Sequence, residues 1–440
     1  MSNVLVVSGS YFPYATANAV CMKKFEDALK NNGHTVIYCN RKHDLYEPDF
    51  HYEHGTYIYT VGKNSDLFFQ TIENLKKIKL PNKMHESFEL SMKGYRLLQK
   101  IKNLGKSKEY LRKKAREEYL ISYSTKIREI ILEWKIDLVI SVSMPFDSHY
   151  AVLMAMQSLK NSYSQRAPKW IAYCIDAYWS KAGILQKDIP VMKKEELEIF
   201  NACDRILFLD TIENDYIGNE FNELRNKFIS LPLPLFDLKV KQENYFNEGF
   251  IRKDGVVEVV YTGTVYDDYR NADACIGVAE SFAEEKVRFH FLGKIYPKSL
   301  SLFNELKYKI PEQIEIYGKQ PYPYAKGSMQ NADILLNLAN DNANQIPSKI
   351  FEYMMTLKPI LNIYRMDNDV GTDYLKKYPL AFNFDCKENF HEQINALKKW
   401  LENIKERSTS IEELDGIFHD VTSSVVCDKF IELVKQLLDY

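Results

Sequence analysis

Residues 347–359 read Pro-Ser-Lys-Ile-Phe-Glu-Tyr-Met-Met-Thr-Leu-Lys-Pro, and an apolar run at 360–363 follows directly. The segment predicts a helix that begins near its Pro-Ser pair, and then a strand. The N-terminus of such a helix presents free N–H groups and the positive end of its dipole, which suit a phosphate or pyrophosphate. Lys349 adds a cation there, and Glu352 lies one turn further in, where a carboxylate accepts hydrogen bonds from vicinal sugar hydroxyls. The pattern favours a nucleotide-sugar site, but an ordinary capped helix with a solvated lysine and glutamate has the same sequence.

Length and composition limit the class of protein. A chain of 440 residues is too long for one hydrophobic core, which predicts two domains. A content of 45% hydrophobic and 27% charged residues is typical of a soluble globular protein, and a net charge of -2 argues against a general nucleic-acid binder. The seven cysteines are scattered without a C-x-x-C pair, which argues against a disulfide framework or a metal site and favours a reducing cytoplasm. No signal peptide is expected, and no apolar run approaches the roughly 18 residues of a spanning helix.

Short apolar runs alternate with helical patterns in both halves of the chain. Such continuous apolar strands, separated by helices, predict parallel sheets that are covered on both faces, an α/β fold. The predicted strands are 4–8, 35–39, 136–142, 170–175 and 205–209, then 256–261, 287–292, 314–317, 332–338 and 359–363, with helices at 19–32, 193–201, 390–404 and 423–438.

The alternating prolines of residues 230–235 make a stiff, extended connector between the halves. We therefore predict an N-terminal α/β domain over 1–235, with a basic helical insertion at 76–116, and a second α/β domain over 236–425. Residues 426–440 are expected to form a helix that packs back towards the first domain.

Ligands in such sheets bind beyond the carboxyl ends of the strands, so the loops at those ends are candidate sites. After the first strand, Gly9, Ser10 and Tyr11 form one wall of the expected cleft, or a plain connection. Gly263 and Thr264 follow the strand at 256–261, and Arg270 further along this loop offers a fork-shaped cation that suits bidentate phosphate binding. An ordinary surface arginine in a loop is the alternative.

A third loop, 173–179, contains a carboxylate between aromatic residues. Asp176 is interpreted as a sugar-contacting residue or as a helix N-cap. His149 follows the neighbouring loop at 141–146, and a structural role is favoured for it.

The 347–359 stretch resembles the P-S-K-x-F-E-Y-x-x-x-x-K-P signature of GT-B glycosyltransferases of the large retaining family 4, and the resemblance covers most of residues 3–365. It implies two Rossmann-like domains that face a cleft, transfer with retention of configuration, and no metal or other cofactor. The donor would be a nucleoside diphosphate sugar, and the acceptor a glycan or lipid-linked glycan. A cytoplasmic protein, peripheral at the inner face of the membrane, fits such an acceptor.

The resemblance also implies roles for individual residues. Arg270 and Lys349 would stabilise the departing diphosphate, Glu352 would bind the ribose, and Asp176 would contact donor sugar or acceptor. The full set is catalytic Arg270, Lys349 and Asp176, and substrate-binding Gly9, Ser10, Tyr11, Gly263, Thr264, Asn344, Pro347, Ser348 and Glu352.

Two positions depart from the family pattern. Thr264 stands where the first of two diphosphate-binding basic residues is common, and Asn344 stands where the first of two acidic residues is common. These departures favour an alternative, a GT-B-like glycan-binding or partner-stabilising subunit without transfer activity. A nucleotide-sugar epimerase of similar fold is a third possibility, for which no additional acid–base residues stand out.

Residues 76–116 hold fourteen lysines and arginines against three acidic residues. Apolar residues from Phe88 to Leu104 recur at near-helical spacing in this stretch. A basic amphipathic helix binds anionic membrane surfaces, but the solvated face of a helical insertion gives the same pattern.

Overall fold

A computed structural model of the chain describes residues 1–9, 17–42, 47–62, 108–143, 145–162, 167–175, 178–179, 184–209, 221–238, 244–267, 270, 272–340 and 346–439. Four predicted site residues, Ser10, Tyr11, Asp176 and Asn344, lie outside these ranges. Most of the basic stretch 76–116 lies outside them as well.

The first half contains one sheet with the strand order β3-β4-β2-β1-β5-β6-β7-β8. All neighbours are parallel except β3, which pairs antiparallel with β4. Its central strands are almost fully buried, as continuous apolar runs require. The strands are β1 (Asn3–Ser8), β2 (Thr35–Arg41), β3 (Phe50–Glu53), β4 (Thr56–Val61), β5 (Leu138–Ser143), β6 (Lys169–Cys174), β7 (Arg205–Phe208) and β8 (Phe228–Ser230).

Four helices accompany this sheet in the described part of the first half. They are α1 (Ala17–Asn31), α2 (Lys108–Trp134), α3 (Asp147–Ser162) and α4 (Ile189–Ala202). The buried hydroxyl of Tyr123 on α2 lies 2.9 Å from the Ser8 carbonyl and 2.8 Å from the Cys39 carbonyl. This contact joins α2 to the carboxyl ends of β1 and β2.

The second half contains an all-parallel sheet of order β11-β10-β9-β12-β13-β14. This is the strand order of a Rossmann fold, 3-2-1-4-5-6 when counted from β9. The strands are β9 (Val257–Thr262), β10 (Val287–Leu292), β11 (Ile314–Gly318), β12 (Ile334–Leu338), β13 (Ile360–Tyr364) and β14 (Ala381–Asp385). The helices are α5 (Ala272–Glu280), α6 (Pro297–Lys309), α7 (Tyr322–Asn331), α8 (Lys349–Met354), α9 (Val370–Lys377) and α10 (Phe390–Glu402).

Two further helices, α11 (Ile411–Phe418) and α12 (Ser423–Leu438), end the described chain. On α12, Phe430 stacks on Phe25 of α1 with ring centroids 4.2 Å apart. The Cys427 thiol lies 3.6 Å from the Lys24 carbonyl. The last helix thus packs on the first half, whereas the domain boundaries at 235 and 425 remain predictions.

The predicted α/β fold with two parallel sheets is confirmed. All ten predicted strands are present, with ends within two residues of those observed. The four strands that the sequence did not reveal are β3, β4, β8 and β14. Their side chains are only partly buried, so they lack the continuous apolar run that marks the central strands.

All seven cysteines carry free thiols. In the described part of the chain, no group of three or more His, Cys, Asp or Glu side chains is arranged to hold a metal ion. No helix of the same part is long and apolar enough to cross a membrane.

Candidate functional site

The candidate site lies at the switch point of the second sheet. β9 has β10 on one side and β12 on the other, so the connections from β9 and β12 leave the sheet in opposite directions. Ligands of open α/β sheets bind at this crevice, beyond the carboxyl ends of the strands. Gly263, Thr264 and Arg270 follow β9, and Pro347 and Ser348 follow β12, so these five predicted residues lie on the two loops at this crevice.

Arg270 joins the two loops. Its backbone forms a bridge with Asn340, and its Nη1 donates hydrogen bonds to the Tyr261 hydroxyl at 3.0 Å and to the Leu338 carbonyl at 3.3 Å. Its Nε is buried and has no hydrogen-bond partner among the described residues. Within those residues no carboxylate forms an ion pair with the guanidinium, which two neutral oxygens hold in position.

Tyr261 organises the loop that carries Arg270. Its buried hydroxyl donates to the Thr264 carbonyl at 2.9 Å and accepts from Arg270. Burial raises the pKa of Tyr261 even though Arg270 opposes the shift, so the hydroxyl remains a donor at neutral pH. The loop after β10 lies directly against this loop. Its first residue, Gly293, has to be glycine, because a Cβ there would lie 1.8 Å from the Gly263 carbonyl oxygen.

Helix α8 is fixed by its buried face. Ile350, Phe351 and Tyr353 are buried, and the Tyr353 hydroxyl accepts a hydrogen bond from the Thr262 backbone N–H at 2.9 Å, at the end of β9. Ser348 stands at the N-cap position, but its side chain makes no capping hydrogen bond. The predicted helix is therefore present and short, and it presents Lys349 and Glu352 away from its buried side.

Glu352 lies between two lysines. Lys326 of α7 approaches Oε1 at 2.7 Å, and Lys349 contacts Oε2. Burial acts to raise the pKa of Glu352, but Lys349 and Lys326 together hold that pKa below its ordinary value. Lys349 is therefore a cation paired with Glu352, and its predicted contact with the diphosphate stays a prediction. Sequence reasoning missed Lys326, because nothing in the local pattern of α7 indicates that it reaches α8.

A buried carboxyl at the start of α9 was also missed. Asp369 is fully buried and caps α9, accepting from the Thr372 backbone N–H at 2.7 Å and hydroxyl at 2.6 Å. Burial raises the pKa of Asp369, an effect that Thr372 and Arg270 oppose. A Cβ on Gly371 would lie 3.1 Å from Pro347 Cδ, so this helix start packs beside the loop after β12.

At the carboxyl end of β1, Gly9 permits a close approach within the protein. A Cβ on Gly9 would lie 2.1 Å from Pro145 Cδ. The glycine is thus required by the packing of the loop after β5. Its predicted contact with substrate stays a prediction.

His149 belongs to a buried chain of polar groups in the first half. Trp170 Nε1 donates to Ser141 Oγ at 2.7 Å, and Ser141 Oγ lies 2.6 Å from His149 Nδ1. His149 Nε2 lies 3.7 Å from the Cys174 sulfur, so each ring nitrogen has a polar neighbour. Burial lowers the pKa of His149 to about 3, which keeps it neutral. These contacts agree with the structural role that the sequence favoured.

Arg116, the last residue of the basic stretch 76–116, lies near the carboxyl end of β5. Its Nε donates to Asp147 at 2.9 Å and its Nη1 to Glu195 at 3.2 Å, while the Tyr178 hydroxyl donates to Glu195 at 2.7 Å. Two carboxylates thus neutralise this arginine.

A separate cavity of about 470 Å³ opens beside α5, β14 and α10. Arg365 and Lys387 line it together with Phe384 and Phe390. None of the predicted site residues lines this cavity, so it is distinct from the switch-point site.

No protein-family model matches the chain, and no curated protein matches its sequence. Solved structures do match. Sucrose-phosphate synthase from Thermosynechococcus elongatus shares 11% identity over 100% of both chains, with a TM-score of 0.65. HepE of Anabaena, in complex with UDP and glucose, shares 10% identity over 99% of this chain and 100% of its own, with a TM-score of 0.59. UDP-GlcNAc 2-epimerase from Methanocaldococcus jannaschii shares 13% identity over 99% of each chain, with a TM-score of 0.54. These likenesses show the GT-B fold of two Rossmann-like domains.

Proposed function

We propose that this chain is a glycosyltransferase that moves a sugar from a nucleoside diphosphate sugar to a glycan or lipid-linked glycan. The observation that carries the proposal is Arg270, a guanidinium held at the switch point of a Rossmann-like sheet by a hydroxyl and a carbonyl. An arginine held by neutral oxygens at this position suits a phosphate oxygen. Transfer with retention of configuration, as in family 4, is part of the proposal.

In the reaction, the bond from the anomeric carbon to the diphosphate breaks, a bond to the acceptor oxygen forms, and the proton of the acceptor hydroxyl passes to an oxygen of the departing diphosphate. Negative charge grows on the departing diphosphate. Arg270 and Lys349 would offset this charge, as preorganised cations do in other transition states. Because these side chains supply the positive charge, we propose a reaction that needs no metal and no cofactor.

The remaining predicted residues take supporting roles. Glu352, kept ionised by its lysines, would accept hydrogen bonds from the ribose hydroxyls. Asp176 would contact the donor sugar or the acceptor. Gly9, Ser10 and Tyr11 would border the acceptor side of the cleft, and Gly263, Thr264, Asn344, Pro347 and Ser348 the donor side.

The first test is donor binding. UDP-, GDP- and dTDP-sugars are screened by thermal shift, because a ligand that binds only the folded protein raises its apparent stability by mass action. HepE was solved with UDP and glucose, which makes UDP-glucose the first donor to try. A donor that stabilises the chain is then incubated with and without an acceptor extract, and free nucleoside diphosphate is measured.

A non-catalytic GT-B-like subunit is the second candidate, and Thr264 favours it because a basic residue is missing there. This candidate predicts donor binding without release of diphosphate under any acceptor condition. The likeness to an epimerase adds a third outcome, in which the nucleotide remains attached and the sugar changes its configuration. The three candidate functions are distinguished by identifying the sugar of the nucleotide sugar that is recovered after incubation.

We also propose a cytoplasmic protein that is peripheral at the membrane through residues 76–116. Sedimentation with anionic vesicles that is reversed by salt supports this, since surface attraction is screened within about 8–10 Å at physiological ionic strength. Equal, negligible sedimentation with neutral and anionic vesicles favours a solvated basic insertion.

A further inference from the structure

Helices α7 and α8 both contact Thr262, and this packing brings Lys326 of α7 to the candidate site. Thr262, the last residue of β9, has its hydroxyl 3.7 Å from the Met329 sulfur of α7 and 3.0 Å from the Tyr353 hydroxyl of α8. Lys326 is three positions from Met329, and side chains at this spacing share one helix face. Lys326 and Glu352 therefore meet at the carboxyl end of β9, the strand whose loop carries Arg270.

The backbone of α7 is fixed in this position. A Cβ on Gly249 would lie 2.4 Å from the backbone of Gly327, so the segment before β9 lies directly against the helix. The Asn331 amide donates to the Phe250 carbonyl at 2.8 Å, and the Tyr245 N–H donates to Gln330 at 2.7 Å. These contacts fix the backbone of α7 at Lys326, whose side chain contacts Glu352 of α8.

The charges at the site then balance those of a diphosphate. Lys326, Lys349 and Glu352 together carry one net positive charge, and Arg270 adds a second. The diphosphate of a nucleotide sugar carries two negative charges. Without Lys326, the pair of Lys349 and Glu352 is neutral, and only Arg270 remains.

We propose that Lys326 is a diphosphate-binding residue that supplies the cation missing at Thr264. Its ammonium pairs with Glu352 at 2.7 Å, and its side chain is 23% exposed, so the residue is not sealed in the core. The inference rests on the proposed function, because it assigns a further residue to the same donor site.

The competing explanation is that Lys326 only stabilises the packing of α7 against α8, through its ion pair with Glu352. The two explanations differ in what they predict for ligands. If Lys326 is only structural, its substitution lowers the stability of the protein and leaves the affinity for diphosphates unchanged. If Lys326 binds the ligand, its substitution lowers the affinity for nucleoside diphosphates more than for monophosphates.

The test compares Lys326→Met, which removes the charge and keeps the length, with Lys326→Arg, which keeps the charge. The matched control is Lys307→Met, which breaks a Lys–Glu pair of 3.1 Å between α6 and β11. Calorimetry measures the affinities of UDP, GDP and dTDP and of the matching monophosphates. If Lys326→Met does not fold, Lys326→Gln takes its place.

We expect Lys326→Met to weaken binding of the preferred diphosphate about tenfold or more, with a smaller loss for its monophosphate. Lys326→Arg should retain most of the affinity, and Lys307→Met all of it. Wild-type protein that binds a diphosphate, with Lys326→Met binding equally well, overturns the role of Lys326 alone. Wild-type protein that binds none of the three diphosphates overturns the proposed function and this inference together.

Discussion

Each half of the molecule has an arginine near the carboxyl ends of its strands, and the two are held in opposite ways. Arg116 in the first half is paired with Asp147 and Glu195. Arg270 in the second half is held by the Tyr261 hydroxyl and the Leu338 carbonyl. A guanidinium between two carboxylates has little charge left for a ligand, whereas one held by neutral oxygens keeps its full charge.

The same contrast extends to the groups around each arginine. The first half keeps its buried histidine neutral, in a chain with Ser141 and Trp170. The second half places two lysines around Glu352, which leaves a net positive charge. The described residues thus place a net positive charge at the second-half site, which suits the anionic donor that we propose.

The largest expected effect is that of Arg270→Ala. Because negative charge on the diphosphate increases as the glycosidic bond breaks, Arg270 should contribute more to the transition state than to donor binding. We expect kcat to fall by about two orders of magnitude, as for the loss of one preorganised oxyanion donor, with a smaller loss of donor affinity. Arg270→Lys should restore activity only in part, because the fork geometry is lost. Release of nucleoside diphosphate is the measurement.

Arg116→Ala is the matched variant in the other half. It leaves Asp147 and Glu195 without their cation, so its main effect should be a lower thermal stability. If Arg116→Ala abolishes turnover and Arg270→Ala does not, the contrast between the halves is reversed. The phosphate site must then be sought at the first sheet.

Glu352→Ala should have the next largest effect. The loss of hydrogen bonds to a charged acceptor is expected to weaken binding of the nucleoside diphosphate about tenfold, without unfolding the protein. Inorganic pyrophosphate, which has no ribose, is the control ligand, and its affinity should not fall. Calorimetry measures both. Equal losses for the two ligands would mean that Glu352 acts by positioning Lys326 and Lys349 instead of by binding the ribose.

The sequence predicted the parts of this site that depend on local pattern. The helix and strand at 347–363 are predictable because a Pro-Ser start and an apolar run are local signals, and so is Arg270 after a buried strand. The contact of Lys326 with Glu352 is not local, since it depends on how α7 and α8 pack on the end of β9. The pairing of Lys349 with Glu352 is local, since it joins positions i and i+3 of one helix, but the sequence analysis assigned both side chains to ligands instead of to each other.

Tyr261→Phe probes how the second half holds its arginine without a carboxylate. The substitution removes the acceptor for Arg270 Nη1 and the donor to the Thr264 carbonyl, while the Leu338 carbonyl remains. Loss of these two hydrogen bonds predicts a decrease in kcat of about fivefold, from a less well positioned guanidinium. Steady-state kinetics and thermal melts are measured together. A lower melting temperature with unchanged kcat would show that the hydroxyl only shapes the loop.

The smallest effect is expected in the first half, where His149 is buried in its neutral form. Because burial lowers the pKa of His149 to about 3, the folded protein does not bind a proton on this ring as the pH falls below 6.5, whereas the unfolded chain does. The free energy of unfolding should therefore decrease below pH 6.5, by at most about 1.4 kcal/mol per pH unit from this group.

In His149→Gln, which keeps a hydrogen-bonding side chain beside Ser141, urea denaturation at pH 7, 6 and 5 should show a shallower decrease than in wild type. His419→Gln, at an exposed histidine, should behave like wild type. Equal slopes for wild type and His149→Gln would mean that His149 is protonated in the folded protein.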